Sequence, residues 1–283
     1  KADSLPRRPS APVLAERARP AAGEVVLQVH KLTRRFGGLI ANNAISFEVR
    51  AGEVLALIGP NGAGKTTLFN CISAVDRASS GQVRFLGRPV QQLESRAVAA
   101  MGLSRTFQHV RLLPRMSVLD NVAVGAHLRG HRSFVASACR LDRAQEASML
   151  ATAWQQLERC GLAEHAHAPA GTLPLGLQRV VEIARALAAD PCLLLLDEPA
   201  AGLRYLEKRT LAQLLAQLRA HGLAILLVEH DLDFVMGLAD RVVAMDFGEK
   251  IAEGLPREVR KHPAVIEAYL GGVEEPLPEP QAA

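Results

Sequence analysis

Gly59-Pro-Asn-Gly-Ala-Gly-Lys-Thr66 is the most informative segment of the sequence. It follows residues 53–58, a mostly apolar run that is typical of a buried strand, and precedes residues 65–73, which are typical of a helix. The glycines let the backbone curl so that its N–H groups point inward at phosphate oxygens, and the helix presents its positive end to the same anion. This spacing between a strand and a helix predicts a phosphate-binding loop rather than an incidental glycine-rich turn.

The side chains of the segment extend this prediction to a nucleoside triphosphate and a metal ion. Lys65 supplies a cation for the β- and γ-phosphates, and the Thr66 hydroxyl is placed to ligate Mg²⁺. Thr67 is placed to donate a further hydrogen bond. The predicted nucleotide contacts are Gly59, Pro60, Asn61, Gly62, Ala63, Gly64, Lys65, Thr66 and Thr67.

Acidic residues and a histidine follow two later apolar segments. Four leucines at 193–196 precede Asp197 and Glu198, and His230 ends the segment 226–230. Ligands of open α/β sheets collect at the carboxyl ends of the strands. We therefore expect Asp197 to hold Mg²⁺ and Glu198 to act as general base toward the attacking water. His230 is expected to contact the γ-phosphate, with a purely structural histidine as the alternative.

The pattern of the whole chain favours an α/β protein. Short apolar strands, predicted at 53–58, 192–196, 224–228 and 242–245, alternate with helices, which favours a parallel sheet covered on both faces. From about residue 95 to 189 the chain is predicted to be mostly helical, which indicates a second lobe inserted between two strand-bearing halves.

Composition excludes several classes of protein. Of the 283 residues, 49% are hydrophobic and 22% charged, which argues against a mostly disordered chain. No apolar run approaches the roughly 18–20 residues that cross a bilayer, so the chain is not expected to be a channel. The net charge of +4 is too small to imply nucleic-acid binding. The cysteines lack metal-site spacing and are expected to be free thiols: Cys71, Cys139, Cys160 and Cys192.

Taken in order, these motifs resemble the nucleotide-binding domain of ATP-binding-cassette (ABC) transporters over about residues 25–271. Phe36 matches the aromatic residue whose ring stacks on adenine. Gln108, in Ser104-Arg-Thr-Phe-Gln108, matches the glutamine that touches Mg²⁺ and the attacking water. The signature motif, which in the family closes over the ATP of the opposite subunit, is matched by Leu173, Pro174, Leu175, Gly176, Leu177 and Gln178.

The resemblance implies a fold and a domain division. The fold is a P-loop NTPase (RecA-like) core with an antiparallel β subdomain and an inserted α-helical subdomain. The ATPase domain is expected at residues 24–271, with its core at 24–94 and 181–255 and the helical subdomain at about 95–180. Residues 1–23, which are basic and Pro/Ala-rich, are expected to be a flexible linker or tether, and 272–283 a flexible tail. Because the sequence opens on Lys1, we expect either a part of a longer polypeptide or a processed chain, and the basic Pro-rich leader would suit the ATPase half of a permease–ATPase fusion.

A narrower resemblance concerns the transported solute. Gly102-Leu-Ser-Arg-Thr-Phe-Gln108 and the tail from Ile251 to Gly271 resemble the ATPase subunits of bacterial importers for branched-chain and other hydrophobic amino acids. The alternatives are the ATPase of a lipid or lipopolysaccharide exporter, a soluble ABC ATPase acting on nucleic acid or ribosomes, and a non-hydrolytic ATP sensor.

For an importer, the resemblance implies hydrolysis of ATP with Mg²⁺ at the cytoplasmic face of the bacterial inner membrane. The implied partners are transmembrane permease subunits, a second ABC ATPase subunit and, indirectly, a periplasmic solute-binding protein, with no nucleic acid. A heterodimer of ATPase subunits is expected, with a homodimer as the alternative. The apolar residues Leu112, Leu113, Met116 and Val118 are expected to grip a permease helix, or else to belong to the core of the lobe.

Two residues depart from the family pattern. Pro174 replaces the signature serine and has neither its hydroxyl nor its N–H, and Arg204 stands where Asp or Asn is usual. Both positions contribute to the partner's ATP site. We therefore expect an asymmetric pair, in which the site on this chain's own phosphate loop turns over faster than the site completed by Pro174.

Overall fold

The computed structural model describes residues 8–129 and 142–270. Strands and helices alternate through most of this range. The strands are β1 (Val25–Phe36), β2 (Leu39–Arg50), β3 (Val54–Ile58), β4 (Ser80–Phe85), β5 (Arg88–Pro89), β6 (Leu103–Arg105), β7 (Leu193–Asp197), β8 (Ala224–Val228), β9 (Arg241–Asp246) and β10 (Glu249–Gly254). The helices are α1 (Lys65–Ile72), α2 (Ser95–Ala100), α3 (Val118–Gly125), α4 (Asp142–Arg159), α5 (Leu175–Ala188), α6 (Tyr205–Ala220), α7 (Leu232–Leu238), α8 (Pro256–Val259) and α9 (Pro263–Leu270).

The larger sheet has six strands in the order β10-β9-β3-β8-β7-β6. All neighbours are parallel except β10, which runs antiparallel to β9. Every residue of β3, β7 and β8 is buried, because helices or the second sheet cover both faces, as predicted. The register pairs Leu57 and Asp197 with Val228, so the phosphate loop, Asp197 and the end of β8 meet at one edge.

The smaller sheet is antiparallel, in the order β2-β1-β4-β5. Its inner residues, including Leu27 and Phe47, share one hydrophobic core with Phe69 of α1 and Leu195 of β7. This packing fixes the sheet against the phosphate-loop helix. It also places the turn between β1 and β2 beside the loop itself.

A second core holds the helical lobe together. It is formed by α3, α4 and α5, with Val122, Trp154, Leu157 and Val181 fully or almost fully buried. Within the segment from about 95 to 189 that was predicted to be mostly helical, Leu103–Arg105 instead form β6 and pair with β7 in the large sheet. A strand of three residues is too short to show a periodicity, and Gly102, at φ +108°, separates it from α2.

Residues 8–22 form no helix or strand, and they contact the rest of the protein. The backbone N–H of Leu14 donates to the Thr152 hydroxyl of α4 at 2.9 Å. Arg19 pairs with Asp190, which precedes β7, at 3.2 Å, and Arg129 donates to the carbonyl of Ala15 at 2.6 Å. The leader therefore lies against both the helical lobe and the large-sheet core. Residues 1–7 and 272–283 lie outside the described residues.

Within 8–129 and 142–270, no helix is both long and apolar enough to cross a membrane. Cys71, Cys160 and Cys192 are free thiols, as predicted. Cys139 lies outside the described residues.

Candidate functional site

The loop between β3 and α1 has the backbone that a phosphate cradle requires. Gly59, Gly62 and Gly64 have φ values of +150°, +83° and +91°. A Cβ atom on Gly59 would lie 2.2 Å from the carbonyl oxygen of Met245, and one on Gly64 would lie 2.2 Å from that of Ala41. Glycine is therefore required at both positions, by conformation and by the close approach of a second backbone.

Lys65 folds back over this loop. Its side chain is buried, and Nζ donates to the carbonyl oxygens of Gly59 at 2.6 Å and Pro60 at 2.8 Å. Burial lowers the pKa of Lys65, while the charges of Glu198 and Asp197 act in the opposite direction. The ammonium group thus lies at the loop and close to both acids predicted to face it.

A cavity of about 530 Å³ opens in front of the loop. It brings together many of the predicted contacts and four residues that were not predicted. The predicted residues that line it are Phe36, Asn61, Gly62, Ala63, Gly64, Lys65, Thr66, Thr67, Gln108 and Glu198. The unpredicted ones are Leu39, Ile40, Ala41 and Phe247. Gly59, Pro60, Asp197 and His230 do not line the cavity.

Phe247 is the most conspicuous of the residues that sequence reasoning missed. Its side chain is 87% exposed, and its φ of +42° lies in the left-handed region, where few residues other than glycine are found. The adjoining Gly248 donates its N–H to the carbonyl of Ala63, which holds the turn against the phosphate loop. An aromatic residue beside a glycine, shortly after the predicted strand at 242–245, was the available signal.

Two of the predicted catalytic residues, Gln108 and His230, lie near one carboxylate oxygen of the third, Glu198. Nε2 of Gln108 donates to Oε2 of Glu198 at 3.0 Å, and Nδ1 of His230 lies 3.9 Å from the same oxygen. Glu198 has φ +48°, and its N–H and carbonyl are bonded to Val228 at 2.9 Å and Arg179 at 3.0 Å. These bonds hold the residue in a sparsely populated conformation at the end of the strand, as is common at functional sites.

Asp197 is buried at the end of β7. Its Oδ2 accepts a hydrogen bond from the Arg105 guanidinium at 3.1 Å. Burial raises the pKa of Asp197, and the paired Arg105 lowers it. Sequence reasoning did not select Arg105, because an arginine near the end of a strand has no pattern of its own.

The oxygen donors present here fit Mg²⁺. The Thr66 hydroxyl, the Gln108 amide and the Asp197 carboxylate are hard oxygen ligands, the type that Mg²⁺ prefers. The described residues contain no cluster of three or more His, Cys, Asp or Glu that would form an all-protein metal cage. This is the usual situation for Mg²⁺ that is held between one or two protein groups and substrate phosphates.

Phe36 is half-exposed at the end of β1. The guanidinium carbon of Arg34 lies 4.2 Å from the ring centroid, and Arg34 is itself paired with Asp76 at 3.2 Å. One face of the ring is thus covered by a cation that is held in place.

The segment that matches the signature lies away from this cavity. Pro174 caps α5 with φ −54°, and none of residues 173–178 lines the cavity. A Cβ on Gly176 would lie 2.7 Å from Oε1 of Glu207, so α5 and α6 approach closely here. The Arg204 side chain is exposed, while its N–H donates to the Glu207 carboxylate at 2.8 Å. The predicted action of this segment on a partner's ATP stays a prediction.

The apolar residues expected to grip a permease helix differ in burial. Val118 is fully buried in the core of the helical lobe, whereas Leu113 is 48% exposed. Leu112 is partly buried against the same core. Leu113 is therefore the member of this set that presents the most apolar surface.

Comparisons with known proteins identify the family. The family profile described as ABC transporter matches residues 42–201, and one described as branched-chain amino acid ATP-binding cassette transporter matches residues 249–275. The high-affinity branched-chain amino acid transport ATP-binding protein LivG of Salmonella typhimurium is 45% identical over 251 residues, which covers 87% of this chain and 98% of LivG. The corresponding protein BraF of Pseudomonas aeruginosa is 41% identical over 249 residues, with coverage of 87% and 98%.

Among solved structures, the ADP conformation of an ATP-binding cassette of an ABC transporter has a TM-score of 0.79. It is 32% identical in sequence, and the match covers 88% of this chain and 99% of that one.

Proposed function

Since this chain belongs to the ABC transporter family, we propose that it is the ATP-hydrolysing subunit that powers import of branched-chain or other hydrophobic amino acids through a membrane permease. The observation that carries the proposal is the convergence of Gln108, Glu198 and the phosphate loop on one cavity. The match of residues 249–275 and the names of the relatives support the choice of solute over a lipid exporter.

ATP binding uses the backbone first. The backbone N–H groups of residues 61–66 and the Lys65 ammonium surround the β- and γ-phosphates, and the positive end of the α1 dipole adds to the electrostatic attraction. Phe36 stacks on the adenine with its free face, while Arg34 lies against the other. The base is thus held by apolar contact and the phosphates by directed hydrogen bonds.

Hydrolysis uses the cluster around Glu198. Glu198 accepts the proton of the attacking water, and Gln108, which is bonded to it, orients that water. His230, whose Nδ1 lies 3.9 Å from the same carboxylate oxygen, donates a hydrogen bond to the γ-phosphate. Mg²⁺, when bound by Thr66, Gln108 and Asp197, supplies neutralisation of the charge on the β- and γ-phosphates.

The proposed assembly follows from the incompleteness of this site. Residues 173–178 do not reach the chain's own cavity, so a second ABC ATPase subunit supplies the donors that close over the ATP. Closure excludes water and assembles the site, and release of products reopens it. The permease subunits bind to the helical lobe around Leu113 on the cytoplasmic face of the inner membrane. A periplasmic solute-binding protein delivers the amino acid from the other side.

Reconstitution tests the proposal. The complete complex in lipid vesicles should take up leucine only with ATP, and its ATPase rate should rise when the solute-binding protein carries leucine. The same complex with Glu198→Gln is the matched control and should show neither effect. ATPase activity that responds to lipid or lipopolysaccharide and not to amino acids would overturn the proposed solute.

A further inference from the structure

The Arg105 side chain joins three elements of the site. From the end of β6 its guanidinium donates to Asn70 Oδ1 of α1 at 2.8 Å, to Ser73 Oγ at 3.1 Å and to Asp197 Oδ2 at 3.1 Å. The side chains of Arg105 and Asp197 are 8% and 6% exposed. A single side chain thus connects the strand that leads to Gln108, the helix that follows the phosphate loop, and the metal carboxylate.

Aromatic rings fix the orientation of this guanidinium. Its central carbon lies 5.5 Å from the ring centroid of Phe69 and 5.4 Å from that of Phe107. Phe107 directly precedes Gln108. A planar guanidinium that donates in several directions between two rings is a geometry that a lysine ammonium does not reproduce.

These contacts have a consequence for the metal ligand. The bond to Oδ2 restricts rotation of the Asp197 carboxylate and leaves Oδ1 without a contact to Arg105. The residues around a metal ligand commonly set its orientation in this way, and their loss typically lowers metal affinity by about 10- to 100-fold.

We propose that Arg105 is a positioning residue for Mg²⁺ at the ATP site: it orients the Asp197 carboxylate and links that orientation to the position of the Gln108 segment. The inference rests on the proposed function, because it assumes that Asp197 serves a metal bound with ATP. An ion pair that only stabilised the core would leave the metal-dependent part of nucleotide binding unchanged.

Calorimetry on the full chain separates these two roles. ATP affinity is measured with Mg²⁺ and with the metal chelated, for the parent, Arg105→Gln and Arg105→Lys. We expect metal-free affinity within about twofold of the parent, and an enhancement by Mg²⁺ that is reduced by about tenfold or more in Arg105→Gln. Arg105→Lys keeps the charge but loses the planar set of guanidinium donors. Its Mg²⁺ enhancement should therefore be only slightly greater than that of Arg105→Gln.

A second readout does not depend on affinity. With Mn²⁺ and ADP in place of Mg²⁺ and ATP, the electron paramagnetic resonance spectrum reports the ligand geometry of the metal. The spectrum should change in Arg105→Lys, which is the variant that best preserves folding. Arg219→Gln is the matched control. Arg219 also forms an ion pair, at 2.7 Å from Asp240, but it lies at the end of α6 and is far from the phosphate loop in sequence.

The outcomes are distinct. A parent-like Mg²⁺ enhancement and Mn²⁺ spectrum in both Arg105 variants would overturn the inference, and so would equal losses with and without metal. A parent chain whose ATP binding ignores Mg²⁺ altogether would instead overturn the proposed function. Arg219→Gln should match the parent in both measurements.

Discussion

Oε2 of Glu198 already accepts a hydrogen bond from Nε2 of Gln108, at 3.0 Å. The left-handed backbone of Glu198 is held at both its N–H and its carbonyl by neighbouring elements. The candidate base and Gln108 are therefore a preformed hydrogen-bonded pair. Movement of the Gln108 segment would separate them.

Glu198→Gln should abolish steady hydrolysis while ATP binding stays within about twofold of the parent. The amide has almost the shape of the carboxylate but accepts no proton, so the expected loss of kcat is about 10²- to 10⁴-fold. Phosphate release by the complete complex and calorimetry with ATP measure the two quantities. Glu48→Gln, in an exposed pair with Arg50, is the control and should behave as the parent. Parent-like hydrolysis by Glu198→Gln would remove Glu198 as the base.

Phe36→Ala should weaken ATP binding because the contact with the adenine is lost, while the contacts with the phosphates stay unchanged. Stacking of a base on an aromatic ring contributes about 1–3 kcal/mol, which corresponds to roughly 5- to 150-fold in affinity. Phe36→Trp should restore most of it, and inorganic triphosphate, which has no base, should bind equally to all three proteins. If Phe36→Ala weakened triphosphate binding as much as ATP binding, the ring would act on the loop and not on the adenine.

Pro174→Ser tests the expected asymmetry of the two ATP sites. Serine restores a hydroxyl and an N–H toward the partner's γ-phosphate, and it is a favoured residue at a helix N-cap, so α5 should tolerate it. Because two sites contribute, the ATPase rate of the full complex should rise by at most about twofold as the slow site gains its missing donors. Pro256→Ser, at the start of α8, is the control. An unchanged rate in Pro174→Ser would count against the asymmetry.

Asp190→Asn should destabilise the protein. Asp190 is almost fully buried, accepts from Arg19 at 3.2 Å and lies 3.7 Å from Arg129. Asparagine keeps the shape and tolerates the φ of +52°, but it leaves these cations without their counter-charge. The expected loss is about 2–3 kcal/mol in the free energy of unfolding, measured from urea midpoints.

The matched control for Asp190→Asn is Arg8→Ala. Arg8 lies 3.8 Å from Glu158, and both side chains are well exposed, so its removal should change stability by less than about 0.5 kcal/mol. A midpoint for Asp190→Asn equal to that of Arg8→Ala would mean that the leader contributes nothing through this cluster.

The described thiols should be unreactive in the folded protein. Burial raises the pKa of Cys71 to about 11 and that of Cys160 to about 12, and it also raises the pKa of Cys192. At pH 8 almost no thiolate is present to attack a disulfide reagent. In a Cys139→Ser variant, labelling should be negligible until denaturant is added and should then reach all remaining thiols. Rapid labelling of the native variant would contradict this burial.

The phosphate loop and the central strands were predictable because their chemistry is local. The glycines of the loop and the leucines before Asp197 have a spacing that is typical of only a few local structures. The comparisons confirm the family resemblance. The hydrogen bond between Gln108 and Glu198 joins residues far apart in the chain, yet both could be named because each has its own motif.

The missed features depend on partners that no local pattern specifies. The three residues of β6 become a strand only because β7 offers an unpaired edge. The contacts of Arg105 depend on Asp197 and Asn70, and the position of Phe247 depends on the loop against which its turn packs. The Pro/Ala-rich composition of the leader is typical of a linker, and no local pattern predicts that Arg19 pairs with the buried Asp190.

Residues 14–19 touch the helical lobe at Thr152 and the large-sheet core at Asp190. A rotation of one lobe against the other must therefore lengthen some of these contacts or drag the leader along. The amino-terminal segment is thus a strap between the lobe that carries Pro174 and the sheet that carries Glu198.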